Sequence, residues 1–277
     1  MEKITIQLFS YKLNVDELHK FVTKIKDEYL ESIKEKRAYN RYIYTLEKTS
    51  YESYKSECWS DCVFKSNRNF NNMFFENKYE ILKQIDFFIE NSEWYNNMGI
   101  PYNLGVCLHG FPGTGKTSFV KALANYTNRN IIQLSLKLIQ TKQDLETFFY
   151  EKFYTSENKQ ECNFKDKIIL LEDVDCASDI IFEREVRCDT NKPENNTVIE
   201  FTKTDKDTEK LLEKMKLEQT RKNKLTLDDI LNLFDGVKET YGRIIIITTN
   251  HYSKLDKAFT RPGRFDITLE MKKANKD

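Results

Sequence analysis

The octapeptide Gly110-Phe111-Pro112-Gly113-Thr114-Gly115-Lys116-Thr117 limits what this chain can fold into more than any other stretch. It fits G-x-x-x-x-G-K-[ST] in full. It lies between an apolar run over residues 105–109, which reads as a strand, and a run over 116–126, which reads as a helix. The glycines let backbone N–H groups turn inward with no Cβ in the way, and the positive end of the following helix points at the same spot. A strand, a glycine loop and a helix in that order form a cradle for a phosphate chain within an open α/β sheet. Gly110, Phe111, Pro112, Gly113, Thr114, Gly115, Lys116, Thr117 and Ser118 are therefore the candidate nucleotide-binding residues. Lys116 is expected to reach the β- and γ-phosphates of ATP, with the Thr117 hydroxyl on Mg²⁺.

The rest of the second half repeats the alternation of short apolar strands with helices. Further strands are expected over 131–134, 168–171, 244–248 and 267–269, and helices over 142–153 and 227–234. Such a texture indicates a parallel sheet covered on both faces. Three of its tips carry chemistry. The strand over 168–171 runs into Glu172-Asp173-Val174-Asp175. A phosphate-cleaving site needs one carboxylate for Mg²⁺ and a second to polarise the attacking water. Glu172 takes the metal side, with Thr117, and Asp173 takes the base position. The strand over 244–248 ends at Asn250, placed to bond the γ-phosphate or the attacking water. Arg261 and Arg264, in Arg261-Pro262-Gly263-Arg264-Phe265-Asp266, are candidates to reach a neighbouring subunit's γ-phosphate.

Residues 1–78 read as a separate α+β, β-rich unit and 79–277 as the nucleotide-binding core. In the first unit, Ile4, Ile6 and Leu8 alternate as a strand does, as do residues 42–44. Asn14 with Glu17 marks a helix start of capping-box type, followed by Leu18, Phe21, Val22, Ile25, Tyr29 and Ile33 on one face. Asn77 with Glu80 marks another start, of a helix that ends near Gly99. Residues 177–224, rich in charge and amide side chains, interrupt the core as a solvated surface insertion.

Forty-four basic and 44 acidic residues give a net charge of +0, which disfavours a nucleic-acid-coating protein. No run approaches the roughly 18 apolar residues that span a bilayer, and the first residues lack a secretory pattern. Six scattered cysteines fit reduced thiols. An intracellular, reducing location, the cytoplasm, is expected.

Together these segments resemble an AAA-type ATPase, a P-loop NTPase with a doubly wound parallel sheet. They are more narrowly similar to the Bcs-type family of the mitochondrial Rieske-protein translocase. The general likeness lies in the P-loop, the acidic strand end, Thr248-Thr249-Asn250, and 255–266. The narrower one lies in Trp94-Tyr95 with Gly99-Ile100-Pro101-Tyr102, in Leu171-Glu172-Asp173-Val174-Asp175, in 225–237, and in Thr248-Thr249-Asn250-His251 with Lys254-Leu255-Asp256. The resemblance covers about residues 59–270. It implies Mg²⁺-dependent ATP hydrolysis in a hexameric or heptameric ring, with Glu172 and Asp173 as the acidic pair, Asn250 as sensor, and Arg264, with Arg261, as the finger acting in trans. It also implies chaperone-like work on protein cargo, and a β-rich domain ahead of the core. The family's membrane anchor and the helical lid that normally follows the finger motif are not expected in this chain. The alternative reading is a nucleotide-dependent scaffold with little hydrolysis; a P-loop kinase or nucleic-acid motor ranks third.

Overall fold

A computed structural model describes residues 7–38, 40–155, 161–176, 225–261 and 263–273. The expected insertion at 177–224, Ile4, Ile6 and Pro262 lie outside the described residues. Seven strands form one sheet: β1 (Tyr42–Leu46), β2 (Trp59–Val63), β3 (Asn103–His109), β4 (Asn130–Leu134), β5 (Lys167–Leu171), β6 (Arg243–Thr249) and β7 (Ile267–Glu270). Their spatial order is β2-β1-β4-β5-β6-β3-β7. All neighbours run parallel except β1 and β2, which pair antiparallel.

The five core strands fall where the apolar runs predict, each within two residues. β5 and β6 are buried along their whole length, as expected of strands covered on both faces. One face packs Ile131, Leu170, Ile246 and Val106 under α2 (Lys78–Glu90) and α4 (Lys116–Thr127). The other packs Ile132, Ile169, Ile245 and Cys107 under α5 (Lys142–Phe149) and α6 (Leu227–Asp235).

The division at residue 78 is not a division of the sheet. β1 pairs with β4 in register, Ile43 beside Ile131 and Thr45 beside Gln133, and β2 continues from β1. The apolar edge of β4 is thereby covered by strands from the first unit. Ahead of them, α1 (Val15–Ala38) starts at the expected box: Glu17 N–H donates to Asn14 Oδ1 at 2.8 Å and Asn14 N–H to Glu17 Oε2 at 2.9 Å. Phe21, Val22, Ile25 and Tyr29 of its apolar stripe stay open to solvent, with Phe21 50% and Ile25 49% exposed. Residues 7–10 form no strand.

Three expectations about helices are corrected. Asn77 caps α2 with a left-handed backbone (φ 55°) and makes no side-chain cap bond. The helix expected to run to Gly99 breaks at Asn91 into α2 and α3 (Ser92–Met98), and Gly99 closes α3 at φ 65°. α5 stops at Phe149 instead of 153, because Glu151 Oε1 accepts from the N–H groups of Lys152 and Phe153 and so replaces the helical acceptors.

At the end of the sheet opposite the P-loop, three buried cations sit at the strand starts. Arg129 donates to Gly242 O at 2.7 Å, Lys167 to Glu151 O at 2.6 Å and to Tyr154 Oη at 2.8 Å, and Arg243 to Phe234 O at 3.4 Å. Aromatic faces supply the rest of their surroundings: Phe88 for Arg129, Tyr154 and Phe164 for Lys167, Phe149 and Phe234 for Arg243. Burial pushes Lys167 down from 10.5 to about 8.

Candidate functional site

β3 delivers the chain to the P-loop between β6 and β7, where the connections diverge to the two faces of the sheet and open a crevice. Gly110, Gly113 and Gly115 all have positive φ, at 134°, 79° and 104°. Their reasons differ. A Cβ on Gly110 would lie 2.3 Å from Met271 O, so this glycine makes room for the chain leaving β7. Around Gly113 nothing lies within 4 Å, and Gly115 faces only the tip of Met271 at 3.4 Å. The loop is thus an open concavity at the N-terminus of α4, whose first residue is Lys116. Phe111 is 73% exposed at the rim. Thr114 Oγ1 donates to Phe111 O at 2.8 Å and tightens the turn.

Lys116 is buried. Its ammonium donates to Gly110 O at 2.7 Å, to Phe111 O at 3.1 Å and to Asn250 Oδ1 at 2.7 Å. These three bonds use all three of its donors. Burial lowers its affinity for a proton, and the carboxylates of Asp173 and Asp175 oppose that shift. The P-loop and the tip of β6 therefore meet at one ammonium, within the field of the acidic strand end.

The tips are tied together by backbone. Asp173 N–H donates to Thr248 Oγ1 at 3.0 Å, and Asn250 N–H donates to Asp175 Oδ1 at 3.2 Å. Asp173 has a left-handed backbone (φ 45°), a conformation costing about 1–3 kcal/mol outside glycine, and its side chain is exposed. Glu172 is half-buried and accepts from Gln133 Nε2 at 2.5 Å. Its carboxyl is raised by burial and by the Asp173 charge, and the Gln133 bond opposes this. The pair thus splits into a half-buried, anchored Glu172 and an exposed Asp173. The Thr117 side chain is exposed at the start of α4 and Ser118 half-buried. One hydroxyl and one or two carboxylates are the hard oxygen donors that Mg²⁺ takes when phosphates complete its shell.

The two arginines separate. Arg264 Nε and Nη2 bond Asp235 Oδ2 at 2.7 and 2.5 Å, and Nη1 donates to Ala258 O. Arg264 is thus tied within its own chain, with its side chain 13% exposed. Arg261 is exposed and its guanidinium has no partner among the described residues. Of the two finger candidates, Arg264 is thus the anchored one and Arg261 the exposed one.

Sequence reading missed several contributors. Asp175 was part of a legible acidic run, but its bond to Asn250 needs the loop geometry. Gln133 and Thr248 look like ordinary polar residues of strands. His109, at the end of β3, stacks on Tyr252 with ring centroids 4.4 Å apart and so braces the P-loop strand against the segment after Asn250.

A family model, ATPase family associated with various cellular activities (AAA), matches residues 106–273, from β3 past the end of β7. The chain is 33% identical over 196 residues to AAA-ATPase At5g40000 of Arabidopsis thaliana, an alignment covering 70% of this chain and 35% of that protein. It is 30% identical over 271 residues to AAA-ATPase At5g17740 of the same plant, covering 96% and 44%. It is 34% identical over 191 residues to the probable mitochondrial chaperone BCS1-B of Dictyostelium discoideum, covering 69% and 38%. The chain therefore spans less than half the length of these relatives. Among its described residues, no helix is long and apolar enough to cross a membrane. With more than half of its residues inside the family match, Lys116 of the P-loop bonded to Asn250 and the acidic tip bonded to the same asparagine's N–H, this chain belongs to the AAA family of ATPases and resembles its Bcs-type members.

Proposed function

We propose that this chain binds ATP with Mg²⁺ and hydrolyses it in a ring of its own copies, and that the ring uses the cycle to remodel or move a protein cargo. The meeting of Lys116, Asn250 and the acidic tip carries this reading. Lys116 exchanges its bonds to Asn250 and the loop carbonyls for the β- and γ-phosphate oxygens, while the open faces of Gly113 and Gly115 admit the phosphates to the loop N–H groups. Thr117 and Glu172 hold the Mg²⁺, which when bound neutralises phosphate charge. Asp173, exposed at the end of β5, orients the attacking water and accepts its proton. Asn250, freed from Lys116, bonds the γ-phosphate or that water. Arg261, the exposed arginine, completes the site of the next subunit; Arg264, bonded to Asp235 and Ala258, holds its loop in place.

The test is Mg²⁺-dependent ATP turnover per protomer over a range of protein concentrations. Turnover that rises with concentration supports a site completed by a neighbour. ATP binding without turnover at any concentration overturns the hydrolase reading in favour of a nucleotide-dependent scaffold. Loss of nucleotide binding in Lys116→Ala checks the P-loop itself.

A further inference from the structure

The face of the sheet that lies under α4 is apolar except for a few side chains, and two of these form a chain of bonds to Glu172. Thr45 on β1 and Gln133 on β4 are register partners, and Gln133 in turn pairs with Leu170, two residues before Glu172. Side chains two apart on a strand share a face, so Gln133 and Glu172 project on the same side. Thr45 Oγ1 donates to Gln133 Oε1 at 3.3 Å, and Gln133 Nε2 donates to Glu172 Oε2 at 2.5 Å.

Chemistry fixes the direction of this chain. An ionised carboxylate only accepts, so Gln133 must turn its NH₂ toward Glu172. Its carbonyl then faces Thr45, whose hydroxyl must donate. All three side chains are half-buried, where a polar group without a partner is costly. Each link therefore holds the next in one orientation.

We propose that Gln133, oriented by Thr45, is a positioning residue for Glu172, setting the carboxylate that serves the Mg²⁺ of a bound nucleotide. The proposal rests on the ATP reading above and adds a role for β1, a strand ahead of the P-loop core. Through Thr45 the metal side of the site is braced from the first part of the chain. Gln133 touches neither phosphate nor metal; it acts through Glu172.

The test uses the whole chain and a fluorescent ADP analogue, titrated first in EDTA and then with increasing Mg²⁺. In Gln133→Leu, which keeps the bulk and removes the amide, affinity in EDTA stays as in wild type. The Mg²⁺ concentration giving half of the metal-dependent gain in affinity rises about tenfold or more, the usual size of such supporting contacts. Thr45→Val shifts the same midpoint in the same direction by less, and adds nothing on top of Gln133→Leu, because the two act through one bond chain. Thermal melts report folding. If Gln133→Leu melts early, Gln133→Asn, whose amide is one methylene too short to reach, replaces it with the same expectation.

An unchanged Mg²⁺ midpoint in a folded Gln133 variant overturns the proposal. So do additive effects of the Thr45 and Gln133 changes. Failure of the underlying reading looks different: the wild-type chain then binds no ADP analogue, with or without Mg²⁺.

Discussion

Lys116 is a cation whose partners must change for the site to work. Each of its three bonds ends on an acceptor of its own chain, at 2.7–3.1 Å. On the function proposed above, Asn250 Oδ1 takes a donor of Lys116 that a phosphate oxygen would otherwise take. ADP has no γ-phosphate for Asn250 to meet, so the cost of breaking the Lys116 bond is visible with ADP alone. A hydrogen bond to a charged group contributes about 1.5–3 kcal/mol, part of which water returns once the bond is broken. Asn250→Ala should therefore tighten ADP binding by about threefold to tenfold and slow ATP hydrolysis. Calorimetric titration of both proteins with ADP checks the first half. Equal or weaker ADP binding in the variant would show that Asn250 does not compete for the lysine. The lysine and the asparagine were both legible, since each lies at a strand end of recognisable texture. Their contact was not, because it joins residues 134 positions apart. The same holds for Arg261 and Arg264, alike in sequence and told apart by the partners of Arg264, one of which, Asp235, lies 29 residues before it.

At the scale of elements, the core strands were readable because their apolar runs are short, dense and bounded by polar tips. The place of β1 and β2 was not, since a strand's own alternation does not say which edge it joins, and β1 finds its neighbour 88 residues later. Two elements make sharp predictions. Gly105 in β3 accepts from Asp266 N–H at 2.9 Å and donates to Asp266 Oδ2 at 3.0 Å, and a Cβ there would lie 1.8 Å from Arg264 O. Gly105→Ala must push the strand and the Arg264 loop apart, and a loss of about 3 kcal/mol in denaturant titration is expected. A loss under about 1 kcal/mol would mean that the loop yields freely. Lys167, at the foot of β5, holds its proton less tightly in the folded chain, at about 8 against 10.5. Between those pH values the unfolded chain keeps a proton that the folded chain releases, so stability from this group rises with pH, by about 1.4 kcal/mol per unit at most. Below about 8 both states are charged and the dependence ends. Lys167→Met removes the group, so the slope of the variant's stability against pH should lie below the wild-type slope between pH 8 and 10 by that amount. Tyr154 and the remaining titrating groups are common to both proteins, and parallel curves would refute the assignment.

At the scale of the whole molecule, the exposed Arg261 has no partner for its guanidinium among the described residues. The nucleotide cradle lies at the carboxyl ends of the strands, whereas Arg264 and the segment around it are anchored to Asp235, Ala258 and the start of β3. In the ring proposed above, an arginine carried on that anchored segment serves a site in a second copy, and such a group contributes about 10³–10⁵ in rate. Arg261→Ala protomers should bind ATP as wild type does, because their own cradle is intact. Mixed with wild-type protein at fixed total concentration, they should lower turnover more steeply than their fraction, since each one disables the site next door. Arg264→Ala should behave differently. It removes the bonds to Asp235 and Ala258, so its first effect is a lower melting temperature. If the Arg261→Ala mixtures lose activity in strict proportion, the arginine acts within its own chain or not at all. If Arg264→Ala keeps its melting temperature and poisons mixtures instead, the exposed and anchored arginines have exchanged roles, and the loop must rearrange when copies assemble.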